Sequence, residues 1–220
     1  MEKYFIGIVE DDDSQTRDIR RTIKALKDRK NDVDFIDYDF KDVEQDIANN
    51  LISQILDDIK TERIHSLIID YKLLTKKNCL NGASIIHKIK TMFYEFPMII
   101  LTQMPEQCID QTDLDPDKVY EKTIFFKADS EESKKYVFNI FRNMDRYWDN
   151  VHRLTSELKD LKNKNGKKED ASTMGRIIDI EKELSRFKPI GYSELDSILS
   201  EKKLKELSDI IEKAKELADE

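Results

Sequence analysis

Several apolar runs in this chain stop abruptly on residues that can do polar chemistry. YFIGIV (4–9) runs into Glu10, Asp11, Asp12 and Asp13, SLIID (66–70) closes on Asp70, PMIILT (97–102) on Thr102, and TIFFK (123–127) on Lys127. Brought to one edge, these acids would repel one another unless a cation came between them, and an all-oxygen set of this kind suits Mg2+. A carboxylate held this way can attack a phosphoryl group in line to give an acyl phosphate. The metal and an ammonium then absorb equatorial charge, and a hydroxyl bonds a phosphoryl oxygen. In this reading Asp70 is held by the metal and by Lys127 from another strand.

The elements that must position these groups follow from the hydrophobic pattern. Five segments are short, apolar, rich in branched or aromatic side chains and bounded by polar turns: 4–9, 32–38, 66–70, 97–102 and 123–127. Helical stretches separate them. The first spans about 14–28, with Ile19, Ile23 and Leu26 on one face, and the second about 41–61, with Val43, Ile47, Leu51, Ile55 and Ile59. A third runs from about Gly82 to Met92, and a shorter one follows Met104. This alternation predicts a parallel sheet covered by helices on both faces, with ligands at the carboxyl ends of the strands.

After Lys127 no further strand is predicted. Val137, Ile140, Met144, Tyr147, Val151, Leu154, Leu158 and Leu161 hold a heptad seam, widened in its first half by Phe141 and Trp148. The polar stretch 163–172 reads as a turn. Amphipathic helices follow over about 173–187 and 194–218, the latter capped by Ser193 and Asp196. Such a hairpin or bundle can pack within one chain or mediate dimerisation.

The set VEDDD, IIDYK, NGASII, IILT and FFK, in that order, resembles the receiver domain of two-component response regulators over about residues 1–145, with 146–220 as an all-helical extension. The resemblance implies a flavodoxin-like, CheY-like five-stranded parallel sheet with helices on both faces, and an aspartate phosphorylated by a sensor histidine kinase in the presence of Mg2+. It places the phospho-acceptor at Asp70, the switch hydroxyl at Thr102, the family's lysine at Lys127 and a metal-binding backbone carbonyl at Lys72. It matches Gly82 to the glycine opening the third helix. Alignment on the strand gives Glu10 and Asp11 as the metal pair; alignment on Arg17 gives Asp11 and Asp12. The segment between Asp70 and Gly82 is longer than receivers usually have, and Gln103 stands where a small residue is usual. Ala128 follows Lys127 where proline is usual, and Ile124 occupies the place of an aromatic switch.

Composition narrows the classes of function. Of 220 residues 38% are charged, and the net charge is -8. From Glu131 onward 19 Lys and Arg face 20 Asp and Glu, a poor match to the basic footprint of nucleic-acid binding. Cys79 and Cys108 are too few for a disulfide framework or zinc cluster. The absence of a long apolar run or a leader-like N-terminus predicts a cytoplasmic protein without membrane contact. The expected function is phosphoryl acceptance on Asp70, signalled through a tail that forms a homodimer or docks a protein, without turnover catalysis. The alternative is an unphosphorylated pseudo-receiver scaffold. A phosphorelay role for His152 is a third reading, with an exposed, inert histidine as its plain counterpart.

Overall fold

The computed structural model describes residues 3–27, 32–39, 47–74, 79–110, 115–164 and 171–188. Strands β1 (Lys3–Val9), β2 (Asp32–Asp37), β3 (Ser66–Asp70), β6 (Met98–Thr102) and β7 (Val119–Glu121) form one sheet in the order β2-β1-β3-β6-β7. Every neighbouring pair in it is parallel. Numbered within the sheet the order is 2-1-3-4-5, the flavodoxin-like arrangement, whose crevice lies at the carboxyl ends where the winding reverses about β1 and β3. The inner strands read as continuous apolar runs because both faces are covered: Leu67 to Ile69 and Met98 to Leu101 are buried.

Helices α1 (Asp13–Leu26) and α6 (Glu131–Lys164) pack together, as do α2 (Ile47–Lys60) and α3 (Gly82–Lys90), forming the two covering layers. Their apolar faces follow helical spacing, with Ile19 and Ile23 on α1, Leu51, Ile55 and Ile59 on α2, and Ile85, Ile86 and Ile89 on α3, all buried. Helix α4 (Pro105–Asp110) is short. Val43 of the predicted second helix lies outside the described residues.

Two local expectations are corrected. The last sheet strand is Val119–Glu121, and TIFFK is not a strand: α5 (Lys122–Phe125) is a single helical turn. The sheet edge takes only Val119 and Tyr120 into the core, and the turn that follows tucks Phe125 fully inside, so packing overrides the β-propensity of the aromatic run. The enlarged segment after Asp70 is not simply a loop. Strand β4 (Lys72–Leu74) pairs antiparallel with β5 (Cys79–Asn81), a small hairpin that buries Leu73. Its length is what the extra residues supply.

Helix α6 is continuous for 34 residues and passes through 145 and 146 without a break. The heptad seam divides along it. Val137, Ile140, Phe141, Met144, Tyr147, Trp148 and Val151 belong to the main core, whereas Leu154 and Leu158 form a second cluster with Ile177, Ile180 and Leu184 of α7 (Ala171–Leu184). Arg176 donates two hydrogen bonds to Glu157 Oε1, at 2.9 and 2.7 Å, and Lys162 lies 3.0 Å from Glu181, closing the α6–α7 hairpin at its surface. Trp148 Nε1 donates to the His65 carbonyl at 3.1 Å, tying the long helix to the start of β3. The buried seam is thus covered within the chain. The predicted helix over 194–218 lies outside the described residues, as does most of the predicted turn before α7.

Candidate functional site

The carboxyl ends of β1, β3, β6 and β7 converge on one rim. Strand β1 delivers Glu10 and Asp11, β3 delivers Asp70, β6 delivers Thr102, and β7 is followed directly by Lys122. Glu10, Asp11 and Asp70 each offer a carboxylate oxygen, and these oxygens lie within 4.8 Å of one another. Lys122 stands where Lys127 was expected. Its Nζ lies 2.8 Å from Glu10 Oε2 and 2.9 Å from Asp70 Oδ1, and it donates to Gln15 Oε1 at 2.6 Å. Lys127 is exposed on the far side of the helical turn, and no ion pair with Asp70 includes it. The misplacement follows from reading TIFFK as the strand, which shifts the lysine by five positions.

Of the two alternatives for the acidic pair, Glu10 and Asp11 are the residues that cluster with Asp70. Asp12 instead caps α1, its Oδ1 accepting from Ser14 N–H, the Ser14 hydroxyl and Gln15 N–H. The Ser14 hydroxyl bond, then the backbone bonds, hold this exposed carboxyl well below the ordinary carboxylate range, at about 2. Asp12 is committed to the helix terminus and is not among the three clustered acids.

Burial dominates the electrostatics of the cluster. Glu10 is 7% exposed and Lys122 4% exposed. Desolvation pushes the Glu10 carboxyl up, against the opposing bond from Lys122, and the nearby Asp70 charge adds to the rise. Desolvation likewise raises Asp70, with Lys122 pulling down and Asp11 pushing up. Two of the three clustered carboxylates, Glu10 and Asp70, therefore share one ammonium in a partly dehydrated pocket. An all-oxygen set with excess negative charge fits a hard divalent cation, and Glu10, Asp11 and Asp70 are the residues that would hold it.

The surrounding backbone is tightly fixed. Tyr71 N–H donates to the Leu101 carbonyl, and Gly82 N–H donates to the Tyr71 carbonyl at 2.8 Å. Asn81 caps α3 through a 2.8 Å bond from Ala83 N–H. Thr102 is buried, and its Oγ1 accepts from Met104 N–H at 3.0 Å. Lys72 opens β4, and its Nζ approaches Met104 Sδ at 3.8 Å across the rim. Gln103 is exposed, as is His152, whose ring lies 5.9 Å from that of Trp148. His65 accepts from Phe5 N–H and is packed among aromatic rings.

Sequence reasoning missed Lys122 and Gln15. Lys122 was signalled by the two apolar residues Val119 and Tyr120 after the Pro116 turn, followed by a polar pair. Gln15 carried no distinguishing signal. A groove of about 850 Å³ lies at the opposite end of the strands, beside Ser66, Pro97, Lys118, Tyr120 and Arg142, and takes no part in this cluster.

No protein-family model matches the chain, and no curated protein matches it in sequence. Among solved structures it is similar to the non-phosphorylated receiver domain of the stress response regulator RcsB from Escherichia coli. Identity there is 19%, coverage is 56% of this chain and 83% of that one, and the TM-score is 0.39. It is also similar to RcsB of Salmonella typhimurium, at 16% identity over 84% of this chain and 91% of that one, with a TM-score of 0.43. A structure of two RcsB dimers bound to two parallel DNAs matches at 15% identity over 90% and 93% of the respective chains, with a TM-score of 0.42.

Proposed function

We propose that this chain is a receiver-type signalling protein that accepts a phosphoryl group on Asp70. The observation that carries the reading is the position of Lys122, whose one ammonium bonds Asp70 and Glu10 while Asp11 completes a three-acid cluster at the carboxyl rim of a 2-1-3-4-5 sheet. A fortuitous polar rim would leave such acids solvated or paired outward. Here two are held against a buried cation.

The Asp70 carboxylate attacks phosphorus in line. A new O–P bond forms as the donor's P–N bond, in a phosphohistidine of a sensor kinase, breaks and its electron pair leaves with the imidazole. Lys122 stabilises the charge on the transferring oxygens, and the Thr102 hydroxyl at the neighbouring strand end would bond one of them. Bound to Glu10, Asp11, Asp70 and the Lys72 carbonyl, Mg2+ would neutralise charge on the phosphoryl oxygens. The acyl phosphate stays on the protein, so the output is conformational rather than turnover. Because the α6 seam is covered by the core and α7, a protein partner or second copy would meet the outer surface of the hairpin, where Met174 and Ile178 are exposed. A cytoplasmic location suits a kinase-supplied phosphoryl group, and no helix among the described residues is long and apolar enough to cross a membrane.

Treatment with phosphoramidate and Mg2+, followed by intact-mass measurement, tests the reading. The expected result is a gain of one phosphoryl group that is absent in Asp70→Asn and absent without divalent metal. No gain in the unmodified chain, under conditions where it remains folded, would leave the scaffold alternative standing instead.

A further inference from the structure

We infer that Gln15, on the first turn of α1, is a positioning residue that fixes Lys122 toward Asp70. The inference rests on the phospho-acceptor reading above and adds a residue to it. An ammonium has three protons, and those of Lys122 are fully assigned: Glu10 Oε2 at 2.8 Å, Asp70 Oδ1 at 2.9 Å and Gln15 Oε1 at 2.6 Å. Two of these acceptors are carboxylates whose charge is costly in a dehydrated pocket. The third is neutral, so it holds the nitrogen without adding a fourth acid to the cluster.

Gln15 is itself held. Its Nε2 lies 3.4 Å from Asp12 Oδ2, and its backbone N–H donates to Asp12 Oδ1 at 3.4 Å. Asp12 also supplies its own backbone N–H to Glu10 Oε1 at 3.2 Å. A hydrogen-bonded chain thus runs from the α1 cap through Gln15 to Lys122 and on to Asp70. The orientation of the amide follows from its neighbours: an ammonium donor on one side requires the oxygen there, and the Asp12 carboxylate on the other requires the NH2.

When the acyl phosphate forms, Asp70 Oδ1 loses most of its charge, and the Lys122 proton bonded to it must turn to a phosphoryl oxygen. Glu10 and Gln15 are the two anchors that keep the nitrogen within reach during that exchange. With Gln15 removed, a single anchor remains and the ammonium swings.

The test uses the full chain and two readouts. The first is solvent exchange of the Lys122 ammonium protons, followed by 15N NMR without phosphodonor. These protons exchange slowly in the unmodified chain and at least tenfold faster in Gln15→Met, with Gln15→Ala as a smaller second variant. The second is the rate of phosphoryl uptake from phosphoramidate with Mg2+. In Gln15→Met the maximal rate falls about tenfold, while the half-saturating donor concentration stays the same. Unchanged ammonium exchange, or an unchanged maximal rate in a variant of a chain that itself takes up phosphoryl, overturns the inference. Failure of uptake in the unmodified chain would instead overturn the phospho-acceptor reading, so the two failures are distinguishable.

Discussion

A β-carbon placed on Gly82 would lie 2.1 Å from the carbonyl oxygen of Asp70 and 2.8 Å from Ile69 Cγ2. The first residue of α3 therefore packs directly against the backbone of Asp70, with no room for a side chain. Gly82→Ala must push the β3 terminus away, at a cost of about 1–3 kcal/mol. Gly175, in the middle of α7, has nothing within 4 Å of its own hypothetical β-carbon. Gly175→Ala should stabilise the chain by up to ~1 kcal/mol through helix propensity. Thermal melts of the two variants should therefore shift in opposite directions, and equal shifts would show that neither position is packed as described.

Two lysines five residues apart should behave differently. Lys122→Met strands Glu10 and Asp70 in a dehydrated site without their shared cation, so phosphoryl uptake should be lost, with a stability loss of about 3–5 kcal/mol near neutral pH. Lys127→Met removes an exposed charge and should leave uptake intact and stability within about 0.5 kcal/mol. Intact mass after phosphodonor treatment, together with urea titration, separates them. A Lys127 variant as impaired as the Lys122 variant would return the lysine role to the residue first expected from the sequence.

That contrast also shows what was legible in the sequence. The ends of β1, β3 and β6 could be read because each continuous apolar run stops where its backbone leaves the sheet, and Glu10, Asp11, Asp70 and Thr102 follow from those stops. The last strand could not, since Val119 and Tyr120 make a far weaker signal than Thr123 to Phe126, although the aromatic run serves a helical turn. The hairpin of β4 and β5 hid in the sequence KLLTKKNCLN, where Leu73 and Leu74 adjoin and each strand is only three residues long. The α6 seam was visible as a period, but a period does not tell which surface fills it. The long helix's first half joins the main core and its second half meets α7.

Stability should depend on pH and metal through the acid cluster. Glu10 and Asp70 have folded-state pKa values raised above their ordinary ones, chiefly by burial. A raised acid binds its proton more tightly in the folded chain than in the unfolded one. Its contribution is thus most favourable in acid and is lost as pH climbs from the ordinary carboxylate range through the raised native values. A divalent cation competes for the same oxygens, so Mg2+ should raise the melting temperature near neutral pH and progressively less as the acids protonate. Asp70→Asn removes one of three clustered charges and should melt higher than the unmodified chain in metal-free buffer at neutral pH, with a smaller response to Mg2+. A metal-free melting temperature that rises steadily between pH 4 and 7, with no contribution of opposite sign removed by Asp70→Asn, would contradict this picture.

Phe187 packs against both apolar clusters, the main core and the α6–α7 hairpin, and helps to join the second to the first. Its carbonyl accepts from the Tyr147 hydroxyl and its ring lies 5.7 Å from that of Tyr147. One residue earlier, the Arg186 carbonyl accepts from Glu95 N–H at 3.2 Å and the guanidinium meets the Glu95 carboxylate at 2.8 Å. The end of α7 is therefore pinned both to α6 and to the segment before β6, which makes one cooperative unit of two clusters. Phe187→Ala should remove about 1–3 kcal/mol of packing while leaving the five hairpin residues Leu154, Leu158, Ile177, Ile180 and Leu184 in contact with one another. The expected outcome in native-state hydrogen exchange is that α7 amides, which open with the core in the unmodified chain, exchange by a separate and cheaper opening in the variant. Exchange of α7 that is already independent of the core before substitution would show that the hairpin is not coupled through Phe187.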